Sequence, residues 1–149
     1  MLPEKIALEV EHLRKKAVEA SKEGNMQLAI DTLNEAWLLL PEPRTDQAES
    51  FTITQYLVSL FLKHKDLEQA YVMADRLQNC DLQRQDIGER EFHLGRVLFE
   101  RDDKAEAFRI FLIADQKSEG RIWRLSTAQL YREFFRSMRK GFDGTRVTM

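Results

Sequence analysis

The 149 residues are 43% hydrophobic and 32% charged with a formal net charge of −2, a balance that excludes a disordered chain and leaves enough apolar material for one continuous core. Six glycines and three prolines favour long helices, no apolar run approaches the ~20 residues of a membrane span, and a single cysteine excludes an internal disulfide or a cysteine-rich zinc site. The charge is uneven: residues 1–60 carry 6 basic and 10 acidic groups, residues 61–120 carry 10 and 13, and residues 121–149 carry 7 and 2, giving −4, −3 and +5.

The start, MLPEKIALEVEHLRKK, lacks a basic segment ahead of an apolar one, so a signal peptide is not expected and a cytoplasmic location is. Pro3 suits the first turn of a helix, and Ile6, Val10, Leu13, Ala17 and Ala20 predict an amphipathic helix over 4–22. Gly24 and Asn25 supply a C-cap and an N-cap for a second helix ending near Leu40, where Pro41-Glu42-Pro43 stops it. Thr45 is placed to cap a third helix over 46–63, apolar on more than one side through Phe51, Ile53, Leu57, Val58, Leu60 and Phe61. Asp66 caps a fourth over 67–78, and 79–85 reads as a polar connector.

Asp86 and Glu89 have the spacing of a capping box for a fifth helix over 87–100. Asp102 and Asp103 offer a cap for a sixth ending near Lys117. Gly120 separates a seventh, 121–140, which Gly141 is placed to end; a flexible tail over 141–149 follows.

Three stretches share one plan. Ala29, Ala70 and Ala107 sit at the same offset from an acidic or amide cap, 41 and 37 residues apart. Leu94-Gly95 with Leu98, then Ala107, Phe111 and Ala114, resembles the tetratricopeptide repeat signature, L-G-x-x-Y followed by A-x-x-x-F-x-x-A. Ala17, Ala29, Leu33, Ala36 and Pro41 match it in the first copy; Ala70, Ala74 and Leu77 match it in the second, where Leu57-Val58 replaces L-G. The signature's tryptophan is absent from all three copies. The resemblance implies an all-α fold: a tetratricopeptide-like α-solenoid of three helix pairs (about 7–41, 46–81 and 86–119) with a capping helix over 121–140, forming a single domain, 1–140. Small residues let the paired axes approach, and stacking is needed because one pair cannot bury its own apolar face. LPEPRT at 40–45 and FHLGRVLFE at 92–100 also resemble small stand-alone bacterial members of the family, some of which resemble immunity proteins that block a cognate toxin.

Chemistry is sparse. His12, His64 and His93 fall in different repeats, which favours structural or surface roles over metal ligation. Cys80 has no nearby base and reads as an inert or partly exposed thiol. The acidic pairs Asp102-Asp103 and Glu89/Glu91 read as helix-terminal residues and not as acid–base partners. No enzymatic activity and no cofactor is expected. In the resembled family the first helix of each repeat lines a concave binding face. That register places Glu11, Arg14 and Val18, then Gln55, Ser59 and Leu62, then Glu89, Phe92, Arg96 and Phe99 on that face. Arg14, Gln55, Ser59, Glu89, Phe92, Arg96 and Phe99 are the expected partner contacts, with Phe92 and Arg96 as anchors because aromatic and arginine side chains dominate interface energies. The lysine and asparagine set with which some members clamp a C-terminal carboxylate is not apparent.

The basic segment 121–140 sets six cationic residues against one acid, Glu133. It reads as a solvated cap, as a contact for an acidic protein or a homodimer, or, least favoured for an acidic chain, as a nucleic-acid surface. The expected function is protein–protein binding, as an immunity or regulatory protein that sequesters one partner. The alternative is a homo-oligomeric scaffold built through 121–140.

Overall fold

The computed structural model describes residues 2–148, with side chains through Gly141. It is all-helical, with no strand among the described residues. Seven α-helices follow in order: α1 Glu4–Lys22, α2 Met26–Leu39, α3 Ala48–Lys63, α4 Leu67–Leu77, α5 Glu89–Glu100, α6 Lys104–Ser118 and α7 Gln129–Thr148. Contacts divide the chain into two compact units, meeting in sequence at Gln85 and Asp86. Unit 1 holds α1–α4 and unit 2 holds α5–α7.

One turn is built three times. Gly24, Lys65 and Asp102 each adopt the left-handed conformation, at φ 80°, 61° and 65°. Their N–H groups donate to Ser21, Leu62 and Phe99 carbonyls, and the next residues, Asn25, Asp66 and Asp103, donate back to Ala20, Phe61 and Leu98 at 2.8, 2.9 and 2.9 Å. These are the paired bonds of a Schellman ending, which satisfy carbonyls left over by the helix. The same residue then begins the partner helix. Asn25 and Asp66 accept the Leu28 and Gln69 N–H at 3.1 and 3.2 Å, as expected of caps. Asp103 makes no side-chain cap bond, so its part in the turn is carried by its backbone. Each turn closes a helix hairpin, α1 on α2, α3 on α4 and α5 on α6.

In unit 1, α2 also packs on α3, so two hairpins share a core. Ala17, Ala29 and Ala70 are at most 1% exposed, and Leu33, Leu57 and Ile53 share one core cluster with Ala17 and Ala29. A second corner joins Phe51, Leu77, Cys80 and Trp37. Arg76 ties it together: its Nε donates to Thr54 Oγ1 at 3.1 Å and its guanidinium lies 3.6 Å from the Trp37 ring centre. Burial lowers the Arg76 pKa to about 10, which leaves it charged at neutral pH.

One expectation fails in this unit and another is narrowed. Thr45 does not cap α3. It lies in a short 3-10 turn, Arg44–Asp46, and α3 starts at Ala48 with no side-chain cap; Ser50 Oγ donates to the Gln47 carbonyl at 2.6 Å. The Thr45 carbonyl accepts from Asp81 N–H at 2.7 Å, drawing the connector inward. Of the two readings of Cys80, inert or partly exposed, the second does not hold: the thiol is fully buried, with its sulfur 3.4 Å from the Arg76 carbonyl.

In unit 2 the expected capping box does not form. Gly88 sits at φ 87° ahead of Glu89, and a Cβ there would lie 2.7 Å from the Ala114 carbonyl oxygen, so only glycine lets the chain cross α6 this closely. Asp86 and Glu91 instead accept from Lys117 Nζ at 2.6 and 2.5 Å. Lys117 holds the Asp86 pKa below the usual carboxylate range, and the two acids raise that of Lys117.

Gly95 receives the Phe111 ring: an added Cβ would come within 2.4 Å of it. Around Phe111 an aromatic core forms from Phe92, Trp123, Tyr131 and Phe135. Trp123 stacks on Phe135 at 4.7 Å. The segment expected as one helix from 121 is broken. Residues Arg121–Arg124 and Ser126–Ala128 form 3-10 turns, and α7 begins only at Gln129. The break turns Ile122 and Trp123 into the core while Leu125 stays 44% exposed. Gly141 lacks the left-handed conformation that would close a helix there, and α7 extends past it. The expected flexible tail otherwise falls on residues outside those whose side chains are described.

Candidate binding surface

The expected contacts divide by burial. In unit 1, Arg14, Gln55 and Ser59 are half-buried on α1 and α3. Arg14 is engaged with Glu11 on its own helix, in a two-pronged bond at 2.9 and 2.7 Å. In unit 2, Glu89 and Phe99 are half-buried on α5.

Phe92 and Arg96 are not available as anchors. Phe92 is 0% exposed and meets Phe111, Trp123 and Tyr131 edge-on or tilted at about the 6 Å typical of aromatic pairs. Arg96 is 7% exposed and points inward: Nη1 lies 3.0 Å from His93 Nδ1 and the guanidinium lies 5.8 Å from the Tyr131 ring. An arginine only donates, so Nδ1 accepts and the His93 proton sits on Nε2. Burial, then the Arg96 charge, lowers the His93 pKa to about 3, so the ring is neutral. The α5 face is wider in apolar character than spacing alone suggests because α7 covers it.

A different surface emerges on α7. Arg132, Arg136 and Arg139 follow at i, i+4 and i+7, which puts three guanidiniums on one helical face. Arg124, from the first 3-10 turn, joins them around a groove of about 460 Å³ over Trp123 and Phe135. Among the described residues Asp115 is the one acid lining it, and both its oxygens are used: Oδ1 by Trp123 Nε1 at 2.8 Å and Oδ2 by Arg139 Nη1 at 3.0 Å. Among the described residues no carboxylate pairs with Arg124, Arg132 or Arg136. Among the described residues, four arginines less one aspartate leave the groove at +3. The i, i+4, i+7 spacing was visible in the sequence, but Arg124 reaches the groove only because the helix is broken at 121–128.

Among the described residues no group of His, Cys, Asp and Glu is arranged to hold a metal, and no helix is long and apolar enough to cross a membrane. His12 and His64 are exposed and lie apart from buried His93 in sequence and environment. No family model, no curated protein and no solved structure matches the chain.

Proposed function

We propose that the chain is a non-enzymatic protein-binding module of the tetratricopeptide kind, with its three helix pairs wound as an α-solenoid. The observation that carries this reading is the threefold turn: the same left-handed residue, the same pair of back-bonds and the same helix start at Gly24, Lys65 and Asp102. Repeated hairpins of this type generate extended surfaces suited to holding another chain. Within that reading the protein is a cytoplasmic bacterial immunity or regulatory factor that sequesters a cognate toxin or effector. Arg14, Gln55, Ser59, Glu89 and Phe99 remain accessible enough to contribute. Co-expression with the product of the adjacent gene tests it. A stable complex and rescue of growth are expected; absence of both overturns the sequestering role.

A second reading has its own observation. Leu130 and Met138, eight residues apart on α7, are 56% and 38% exposed and share one side of the helix. A homo-oligomeric scaffold paired through 121–140 would cover them. Light scattering decides: a monomer at high concentration removes this reading.

A further inference from the structure

We infer that the arginine-lined groove between the 3-10 turn at Arg121–Arg124 and α7 is a docking site for an acidic segment of a partner protein, one that presents successive carboxylates. The inference rests on the protein-binding reading above and gives it a location and a chemistry.

The groove is arranged for anions. Arg132 and Arg136 stand one helical turn apart, where like charges repel, and no acid among the described residues offsets them. A guanidinium presents a flat fork of donors that matches a carboxylate in two parallel bonds. Arg124 and Arg136 are exposed, so their forks are open to solvent; Arg132 is half-buried, with its Nε out of solvent and without a hydrogen-bond partner. The floor is firm: Trp123 is held by its bond to Asp115 and by its stack on Phe135. Asp115 also fixes Arg139, so one cation is oriented before any ligand arrives.

Charge distribution selects among anionic partners. Within unit 2, residues 86–120 carry 6 basic and 9 acidic groups, net −3, against +5 for residues 121–149. A nucleic acid or a membrane presents phosphates over a wide area and would meet that acidic body as well as the groove. A peptide segment meets the groove alone.

The probe is a fluorescein-labelled poly-glutamate peptide, followed by anisotropy at low and at physiological salt. A thymidine oligonucleotide and phosphatidylserine vesicles serve as rival anions. The wild-type chain is expected to bind the peptide more tightly than either rival, and more weakly as salt rises. Arg124→Gln with Arg136→Gln should weaken peptide binding about tenfold or more. Lys15→Gln with Lys16→Gln, which removes two exposed charges from α1, should change it less than about twofold. Circular dichroism checks that both variants fold. No peptide binding at low salt, equal losses in the two variants, or tighter binding of oligonucleotide or vesicle would each overturn the assignment. The co-expressed partner separates the two levels. If the arginine variant holds that partner as well as wild type, the groove is wrong and protein binding stands. Loss of the partner on the arginine substitutions alone supports the groove.

Discussion

In unit 1 the face of one hairpin is covered by another hairpin; in unit 2 the single hairpin is covered by two 3-10 turns and α7. The side chains follow that difference. The larger unit 1 core is aliphatic, with Leu13, Leu33, Leu57 and Ile53 packed around alanines. The unit 2 core is aromatic, with Phe92, Phe108, Phe111, Trp123, Tyr131 and Phe135. A regular neighbour presents ridges and grooves that leucine and alanine fill, whereas an irregular cover leaves uneven gaps that flat rings at varied angles close. The turn geometry is common to both units, so it is the cover, not the hairpin, that dictates core composition.

Each unit contains one of the two tryptophans, Trp37 in unit 1 and Trp123 in unit 2, so Trp37→Phe and Trp123→Phe backgrounds report the units separately. The strongest way to break the comparison is Phe111→Ala. It removes the ring at the centre of the aromatic core and should destabilise unit 2 by about 3–5 kcal/mol. In the Trp37→Phe background the Trp123 transition should fall sharply in urea. An equal fall of the Trp37 transition in the complementary background would mean that the units unfold as one.

Acid should also act on unit 2 first. The folded pKa of His93 is depressed to about 3 against 6.5 when unfolded, so the native state binds fewer protons. Its contribution is complete above pH 6.5 and is lost as pH falls toward 3. At pH 4.5 the loss attributable to this ring is about 2–3 kcal/mol. His93→Gln should flatten the pH dependence of stability between 7 and 4.5 relative to wild type; an unchanged slope would assign the acid sensitivity to carboxylates.

Gly95→Ala sharpens the contrast between cores. The new methyl meets the Phe111 ring and should cost about 1–3 kcal/mol by overpacking, measured by denaturant midpoint. A neutral result would show that the ring has room to move. The smallest effect tests what the units share. Lys65→Gly relieves a left-handed lysine and should stabilise by roughly 0.5 kcal/mol, the strain relief exceeding the added chain entropy. Loss of stability there would show that Lys65 does more than turn the chain.

Helix number, the small residues at the pair contacts and two of the caps were legible in the sequence, because each depends on neighbours a few residues away. Asn25 and Asp66 act as read. Thr45, Asp86 and Asp103 do not: Thr45 lies in a 3-10 turn and its carbonyl accepts from Asp81, Asp86 is divided between the Gly88 N–H and Lys117, and Asp103 joins its turn through its backbone alone. The binding surface was the least legible part. Spacing put Phe92 and Arg96 on a family-defined face, but α7 contributes Tyr131 against both rings and guanidinium, and no local signal in α5 announces that cover. The 3-10 break at 121–128 was hidden because its residues are ordinary helix formers apart from Gly120, and the need to turn Trp123 inward is a property of the whole core.

The repeated turn has a consequence for synthesis. Its bonds join residues only three to five positions apart, so closing a hairpin requires little loop-closure entropy. Proteins built from such neighbouring contacts fold quickly, and folding begins at the end that leaves the ribosome first. The α1–α2 pair would therefore be complete while unit 2 is still untranslated, and the arginine-bearing helix would acquire its shape only after the hairpins that precede it.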